Sequence, residues 1–596
     1  MNVIGISGLD NSVPFKKREF SSLSSQQYRI AQGFDSAAVL VTSHGIQAAA
    51  AEERFTGEKA TGSFPINAIE YCLEAGHLVP DAVDYVAHGF SYDPFKSFYD
   101  EDEFVKKQFT EVYSREAQVR CMQKYLPSYD WSGKLVQVPH HLAHAVSAFY
   151  LSGFKDSLIL VADGMGELHS TTVAVGSENE IRMIKQIPGL HSLGILYGVF
   201  TLYLGFYMGL DEYKVMGLAP YGNAGRYFKR LMELVHLKSD GTYEIPILFQ
   251  NRTLEEKETY AGTLRLLAGM FGPPREPETE ITSNHMDIAA ALQATLQASL
   301  MHVLQHFKKE TGQTNLCMAG GVALNCSVNG VIKRSRMFKG MFVQPASGDD
   351  GTALGAALYV QRLHQPNVCL SKMGLPLWGP EYNDQAISAV LRAREDCTSV
   401  LFDSFDELAT HIARCLAQGQ IVGWFQGRME FGPRALGSRS ILADPRNAEM
   451  RGRINQLVKK REEFRPFAPA VTAEAAAQFF ELREGEESIH AHMLVVAPVR
   501  TAYRKQLPAI THVDGSARVQ TVAKEDHPGF WRLLNEFGKI SRMPILLNTS
   551  FNVRGQPIVR TPTEAIDTFV AAQIDMLVIG NYVVLPRRDE QARNVA

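Results

Sequence analysis

Apolar residues run almost unbroken through Val3-Ile4-Gly5-Ile6 and again through Leu158-Ile159-Leu160-Val161-Ala162, the pattern of strands buried on both faces. The first run ends in Ser7-Gly8 and the second in Asp163-Gly164. After the first come two more strand patterns, Asp35–Val41 and Gly45–Ala51, closed by Glu52-Glu53-Arg54-Phe55. After the second come His169–Val175 and Ile181–Ile187, joined by the turn Ser177-Glu178-Asn179. A three-strand opening therefore occurs twice, each time followed by helical material. Helical periodicity predicts Asn67–Gly76 (entered through Phe64-Pro65), Glu101–Lys124, Asn284–Thr311 and Thr352–His364, with a strand at Ala82–Gly89. Strands Asn315–Ala319 and Met341–Val343 each run into a glycine turn. The polar stretch Asp10–Arg29, with Phe15-Lys16-Lys17-Arg18-Glu19-Phe20, reads as an inserted loop, either a solvated face or a substrate-side lid.

A duplicated β-β-β opening predicts an α/β fold of the actin/Hsp70-type (ASKHA), in which glycine-bearing hairpins hold phosphates through backbone N–H groups. Prolines at 366, 376 and 380 loosen the pattern, so residues 1–365 are expected to form one domain, 366–395 a linker and 396–596 a second α/β domain. In the second, Asp406–Gln418 and Thr563–Ala572 read as helices, and Ile421–Phe425, Pro544–Leu547 and a last Met576–Ile579 as strands.

Composition narrows the class. At 596 residues, 45% hydrophobic and 21% charged, the chain has the balance of a globular protein of several domains. A net charge of −4 leaves no overall nucleic-acid footprint. Cys72, Cys121, Cys317, Cys326, Cys369, Cys397 and Cys415 are scattered without a C-x-x-C pair, which favours a reducing cytosol over a disulfide framework. With no secretory leader and no membrane-length apolar run, the expected location is cytoplasmic.

The chemistry gathers at a few points. His140 and His144 lie four apart on a helix entered through Pro139, and Asp163 ends a buried strand, so an N,N,O metal site is one reading and a polar helix cap the other. Asp349, in the turn Gly348-Asp349-Asp350-Gly351, is a second strand-end carboxylate. Gly320-Gly321, leading through Asn325 into a helix, suits a nucleotide lying on backbone N–H groups. Lys214 beside Asp211 and Glu212 suits an anionic or sugar ligand, or a surface ion pair. Arginines alternate with glycines over Gly427–Arg439, suiting phosphate, and Lys460 and Arg465 add charge. Asn548 and Asn552 follow a strand, as ligand-binding edges do.

Taken in order, Ala50–Phe55, His140–Ala145, Ala162–Glu167, Lys214–Gly222, Ala319–Asn325, Gly348–Ala357, Gly427–Arg446, Phe464–Ala470 and Asn548–Ile558 resemble the O-carbamoyltransferases of the nodulation-factor and antibiotic-tailoring type. That resemblance implies an N-terminal domain like the ATPase-fold protein of tRNA threonylcarbamoylation and a C-terminal YrdC-like domain. The latter would make carbamoyl-adenylate from carbamoyl phosphate and ATP with Mg²⁺, and the former would pass the carbamoyl group to a small-molecule hydroxyl. It further implies His140, His144, Asp163 and Asp349 as metal ligands, iron the first choice. Asp35 and Lys59 would lie in the transfer site, and Arg434, Arg439, Lys460, Arg465, Arg518, Asn548 and Asn552 in the adenylate-forming site. Phe34 stands where relatives carry a histidine, leaving Asp10 or His141 as replacement bases or the inserted loop to re-route the substrate. No nucleic-acid or membrane partner is expected, and a homodimer is one open possibility. A tRNA-modifying threonylcarbamoyl transferase is the alternative function.

Overall fold

The computed structural model describes residues 1–100, 102–178, 180–366, 368, 371–459, 462, 464–483 and 485–587, in two compact units. One holds Met1–Thr56 and Ala60–Met373, the other Gly57–Lys59 and Gly374–Ala596.

The first unit is built on two five-stranded sheets. Strands β1 (Val3–Ile6), β2 (Ala37–Thr42), β3 (Gly45–Ala51), β4 (Tyr85–His88) and β5 (Leu135–Gln137) lie in the order β3-β2-β1-β4-β5. Strands β6 (Asp156–Ala162), β7 (His169–Ser177), β8 (Glu180–Pro188), β9 (Asn315–Ala319) and β10 (Gly340–Val343) lie in the order β8-β7-β6-β9-β10. In both sheets the first strand pairs antiparallel with the second, the second antiparallel with the third, and the first parallel with the fourth. The repeat read from the apolar pattern is thus a duplicated topology. Leu158, Ile159, Leu160 and Val161 are each fully buried, because helices cover both faces.

Three helices shape the site. They are α1 (His140–Phe149), α2 (Ser283–Thr311, stopped by Gly312 in the left-handed region) and α3 (Asp350–His364). Helix α3 packs on β1, β2 and α1. Small residues permit that approach: a Cβ at Gly5 would stand 2.0 Å from the Ala353 carbonyl oxygen, and one at Gly355 would stand 1.8 Å from that of Ala143. Backbone-to-backbone packing of α1 and α3 brings the histidines of one toward Asp349, the N-cap of the other. Gly355→Ala is expected to force the helices apart and cost about 1–3 kcal/mol or more, read as a lower denaturation midpoint.

Some expectations change. Asp10–Arg29 is not a solvated loop: Ser12–Glu19 and Ser25–Tyr28 are helical, and Phe15 and Lys16 are buried. Lys16 donates to the carbonyls of Ile30 (2.5 Å) and Glu258 (2.6 Å) and pairs with the Glu258 carboxylate at 3.2 Å. Leu193–Tyr203 is a helix buried nearly all round. Glu101–Lys124 breaks into Glu103–Gln108, a π-turn Phe109–Tyr113 and Arg115–Tyr125, while Glu101 lies outside the described residues. Among the described residues no helix is long and apolar enough to cross a membrane. The cysteines Cys72, Cys121, Cys317, Cys326, Cys397 and Cys415 are buried and free, and Cys369 lies outside the described residues.

The second unit is built on an eight-stranded mixed sheet, beside a short antiparallel pair of Val496–Pro498 with Ser516–Arg518. The strands of the sheet are β11 (Cys397–Leu401), β12 (Val422–Phe425), β13 (Arg439–Ala443), β14 (Ala468–Thr472), β15 (Gln520–Val522), β16 (Ile545–Ser550), β17 (Met576–Ile579) and β18 (Tyr582–Pro586). They lie in the order β11-β18-β17-β12-β13-β16-β14-β15, so Met576–Ile579 is followed by one more strand. Helices Phe405–Ala417 and Pro528–Ser541 cover one face, with Trp424 fully buried among them. The stretch read as a linker holds the helix Asp384–Arg392, whose Ile387 and Leu391 join this unit's core.

Candidate metal centre

His140, His144, Asp163 and Asp349 converge, with one donor atom from each lying within 4.8 Å of all the others. His140 Nε2 is 3.1 Å from His144 Nε2, 3.2 Å from Asp163 Oδ2 and 3.5 Å from Asp349 Oδ1. His144 Nε2 is 3.9 Å from each carboxylate. Bonds of about 2.0–2.2 Å to one divalent ion would set neighbouring donors roughly 3.0–3.5 Å apart, so small adjustments at His144 complete a coordination sphere. Two imidazoles and two carboxylates suit a first-row divalent ion.

The fit extends to orientation. His140 turns its Nδ1 to the Gly89 carbonyl at 3.0 Å, leaving Nε2 for the centre. Its ring stacks on Phe90 with centroids 4.2 Å apart and an interplanar angle of 14°. Asp163 Oδ1 accepts the Gly321 N–H at 3.0 Å, which turns Oδ2 inward. Gly320 makes this possible, with φ +88° and a would-be Cβ 2.3 Å from the Ala162 carbonyl oxygen.

Burial and mutual charge perturb all four groups. Burial opposes charge on His140, yet Asp349 and Asp163 hold its pKa well above the ordinary value. Burial, and then the charge of His140, push His144 well below it. Burial raises Asp349, whereas at Asp163 the neighbouring histidines overcome burial and lower its pKa. Two imidazoles 3.1 Å apart beside two carboxylates are a donor set that one divalent ion could satisfy.

Other expected site residues are placed as follows. Asp35, in the left-handed region at φ 54°, has its carboxyl raised well above the usual range by burial, then by the charges of Asp350, Glu53 and Asp349. Arg29 covers the ring of Phe34 at 4.6 Å. His141 places Nδ1 2.7 Å from Thr172 Oγ1 and leaves Nε2 buried without a hydrogen-bond partner, and burial followed by the charge of His140 lowers its pKa to about 3. Asp10 takes the Tyr125 hydroxyl at 3.0 Å and the Phe64 N–H at 3.0 Å, so it serves a structural network. Lys59 falls in the second unit. Gly321 gives its N–H to Asp163, and Asn325 caps the helix Cys326–Arg334 while exchanging hydrogen bonds with Gln293. Lys214 pairs with Asp211 at 3.0 Å.

In the second unit Arg439 departs most from its expected role. It is fully buried, lies 3.6 Å from the Phe425 ring centroid, and donates to the carbonyls of Gln426, Ser438, Pro380 and Gly427 at 2.9–3.1 Å. Its guanidinium therefore builds the glycine-arginine loop. Arg428 likewise donates to the Trp378 and Gly379 carbonyls. Arg434, Arg465 and Arg518 are half-buried. Asn548 is buried and donates to Gln520 and Ala435, and Asn552 accepts from Lys459 and Ser550, each at 2.7 Å. Lys460 lies outside the described residues; its neighbour Lys459 is a buried lysine that donates to Asn552. Glu430 was missed. Its Oε1 accepts the N–H groups of Leu436 (2.7 Å), Ser438 (2.7 Å) and Arg439 (3.2 Å). Glu430→Ala is expected to orphan these donors, cost roughly 3 kcal/mol, and show as a lower urea midpoint.

The carbamoyltransferase N-terminus matches residues 30–358 and the carbamoyltransferase C-terminus matches residues 413–585. The chain belongs to the carbamoyltransferase family. It is 39% identical to nodulation protein NolNO of Sinorhizobium fredii, over 93% of this chain and 79% of that one. It is 43% identical to nodulation protein NolO of Bradyrhizobium diazoefficiens, over 75% of this chain and 79% of that one. To 3'-hydroxymethylcephem-O-carbamoyltransferase of Amycolatopsis lactamdurans it is 31% identical, over 62% and 64% of the two chains.

Proposed function

We propose that the protein is an ATP-dependent O-carbamoyltransferase that takes carbamoyl phosphate as donor and carbamoylates a hydroxyl of a small natural product. The observation carrying this reading is the convergence of buried His140, His144 and Asp163 with half-buried Asp349 in a chain of this family. The name of the cephem relative supports an alcohol acceptor.

In this reading carbamoyl phosphate is first hydrolysed to carbamate and phosphate. A carbamate oxygen then attacks the α-phosphorus of ATP and expels pyrophosphate. The acceptor hydroxyl next takes the carbamoyl carbon, AMP leaves, and the hydroxyl proton passes to a base. A divalent ion held by the four residues, iron in our assignment, would supply Lewis-acid charge at the transferring group. Asp35, whose carboxyl is raised by burial and by the neighbouring carboxylates, is our candidate base. Lys59 is assigned to orient the donor. The second unit, inferred to be YrdC-like, would bind Mg²⁺–ATP, with Arg434, Arg465 and Arg518 neutralising phosphates. Asn548 and Asn552 would shape that site, and Lys459 would hold Asn552 in place.

Pyrophosphate release tests the reading. It is expected with ATP and carbamoyl phosphate together and not with ATP alone. Release indifferent to carbamoyl phosphate would sink the proposal, and release driven by threonine and bicarbonate would favour tRNA threonylcarbamoylation instead.

A further inference from the structure

The turn after Asp163 runs Gly164-Met165-Gly166-Glu167 and packs on the first turn of α1. A Cβ at Gly166 would stand 3.0 Å from His141 Cδ2 and 3.3 Å from His140 Cβ, so the turn lies directly against the helix entrance. Glu167, 5% exposed, reaches into this contact. Its Oε1 accepts two main-chain N–H groups, from His140 at 2.9 Å and from Ser91 at 2.7 Å.

Each bond has a local reason. Helix α1 is entered through Pro139, which offers no side-chain cap, so the His140 N–H is one of the orphan donors of a helix start. A buried carboxylate satisfies it and places negative charge at the helix N-terminus. Ser91 belongs to the segment leaving β4, and that segment also supplies the Gly89 carbonyl under His140 Nδ1 and the Phe90 ring stacked on its imidazole. One oxygen therefore joins three pieces of chain: the turn that follows Asp163, the segment that orients the His140 ring, and the backbone of His140 itself.

We propose that Glu167 is a positioning residue for the metal centre, clamping the His140 backbone to the Gly89–Ser91 segment so that Nε2 is held toward Asp163 and Asp349. This rests on the reading that the four-residue cluster binds a divalent ion. Without the clamp, His140 can still reach the ion but loses the fixed start of its helix and the register with Gly89. Outer-shell partners of this kind are worth about 10–100-fold in metal affinity.

The test is a Co²⁺ titration of the full chain and its variants, followed by visible absorption, which reports the ligand field as well as the affinity. E167A is expected to bind Co²⁺ about 10–100-fold more weakly, with an altered spectrum. E167Q, whose amide oxygen can still accept both N–H groups, is expected to stay closer to the parent than to E167A. H144A serves as the control for the cluster. If the parent fails to bind Co²⁺, or H144A binds it equally well, the metal reading falls and the clamp with it. If H144A loses the ion but E167A matches the parent in affinity and spectrum, only the clamp is overturned. E167Q falling as far as E167A would also contradict the hydrogen-bond clamp. Should E167A not fold by circular dichroism, E167D takes its place with the same expectation, because it withdraws the oxygen by one methylene.

Discussion

His144→Ala is expected to abolish metal binding and carbamoyl transfer to the acceptor, while carbamoyl-phosphate-dependent pyrophosphate release survives. His144 is fully buried and supplies one of only two nitrogens in the cluster. Losing a direct ligand should cost more affinity than the roughly 10–100-fold that an outer-shell change costs. The surviving activity follows from the assignment of adenylate formation to the second unit, which contains none of the four ligands. Metal analysis of the purified variant, alongside pyrophosphate and carbamoylated-product assays, checks both halves. A folded His144→Ala protein that loses both activities together would refute the division of labour.

The second large effect is expected at Arg439, and even lysine should not replace it. The guanidinium spans four backbone carbonyls at once from a fully buried position. Lysine carries a compact ammonium that lacks the planar fork, so it leaves some of those carbonyls without a donor. Each buried acceptor so orphaned costs about 1–3 kcal/mol, giving an expected loss of at least about 3 kcal/mol for Arg439→Lys. The loop Gly427–Ser438 should loosen with it and pyrophosphate release should collapse. Chemical denaturation followed through Trp424, buried in the same unit, would show an earlier transition. An unchanged midpoint with normal pyrophosphate release would contradict a loop-building role.

Much of the first unit was legible because buried strands write themselves as apolar runs. The runs at Val3–Ile6 and Leu158–Ala162 became the two central strands of matching sheets. The i, i+4 spacing of His140 and His144 and the strand-end position of Asp163 are local patterns, and all three meet in the structure. Long-range packing was less legible. Lys16 reads as part of a solvated basic run, yet it is buried because Glu258, far along the chain, supplies both a carbonyl and a carboxylate. Arg439 reads as a phosphate ligand because arginine among glycines suits phosphate; its carbonyl partners come mostly from irregular backbone, which leaves no periodic signal. Glu167 and Glu430 went unnoticed for a related reason. A lone glutamate in a turn gives no hint that one oxygen will gather two or three N–H groups. Gly355 carried a signal that could have been used, since a Gly-Ala-Ala segment opposite the alanine-rich α1 announces close helix packing.

Anomalous diffraction from crystals of the metal-loaded protein tests the central claim most directly. The account predicts one strong peak at the absorption edge of the bound metal, within about 2.0–2.3 Å of His140 Nε2, His144 Nε2 and a carboxylate oxygen each of Asp163 and Asp349. No peak at that position, or a peak bonded to other residues while these four remain paired with one another, would contradict it.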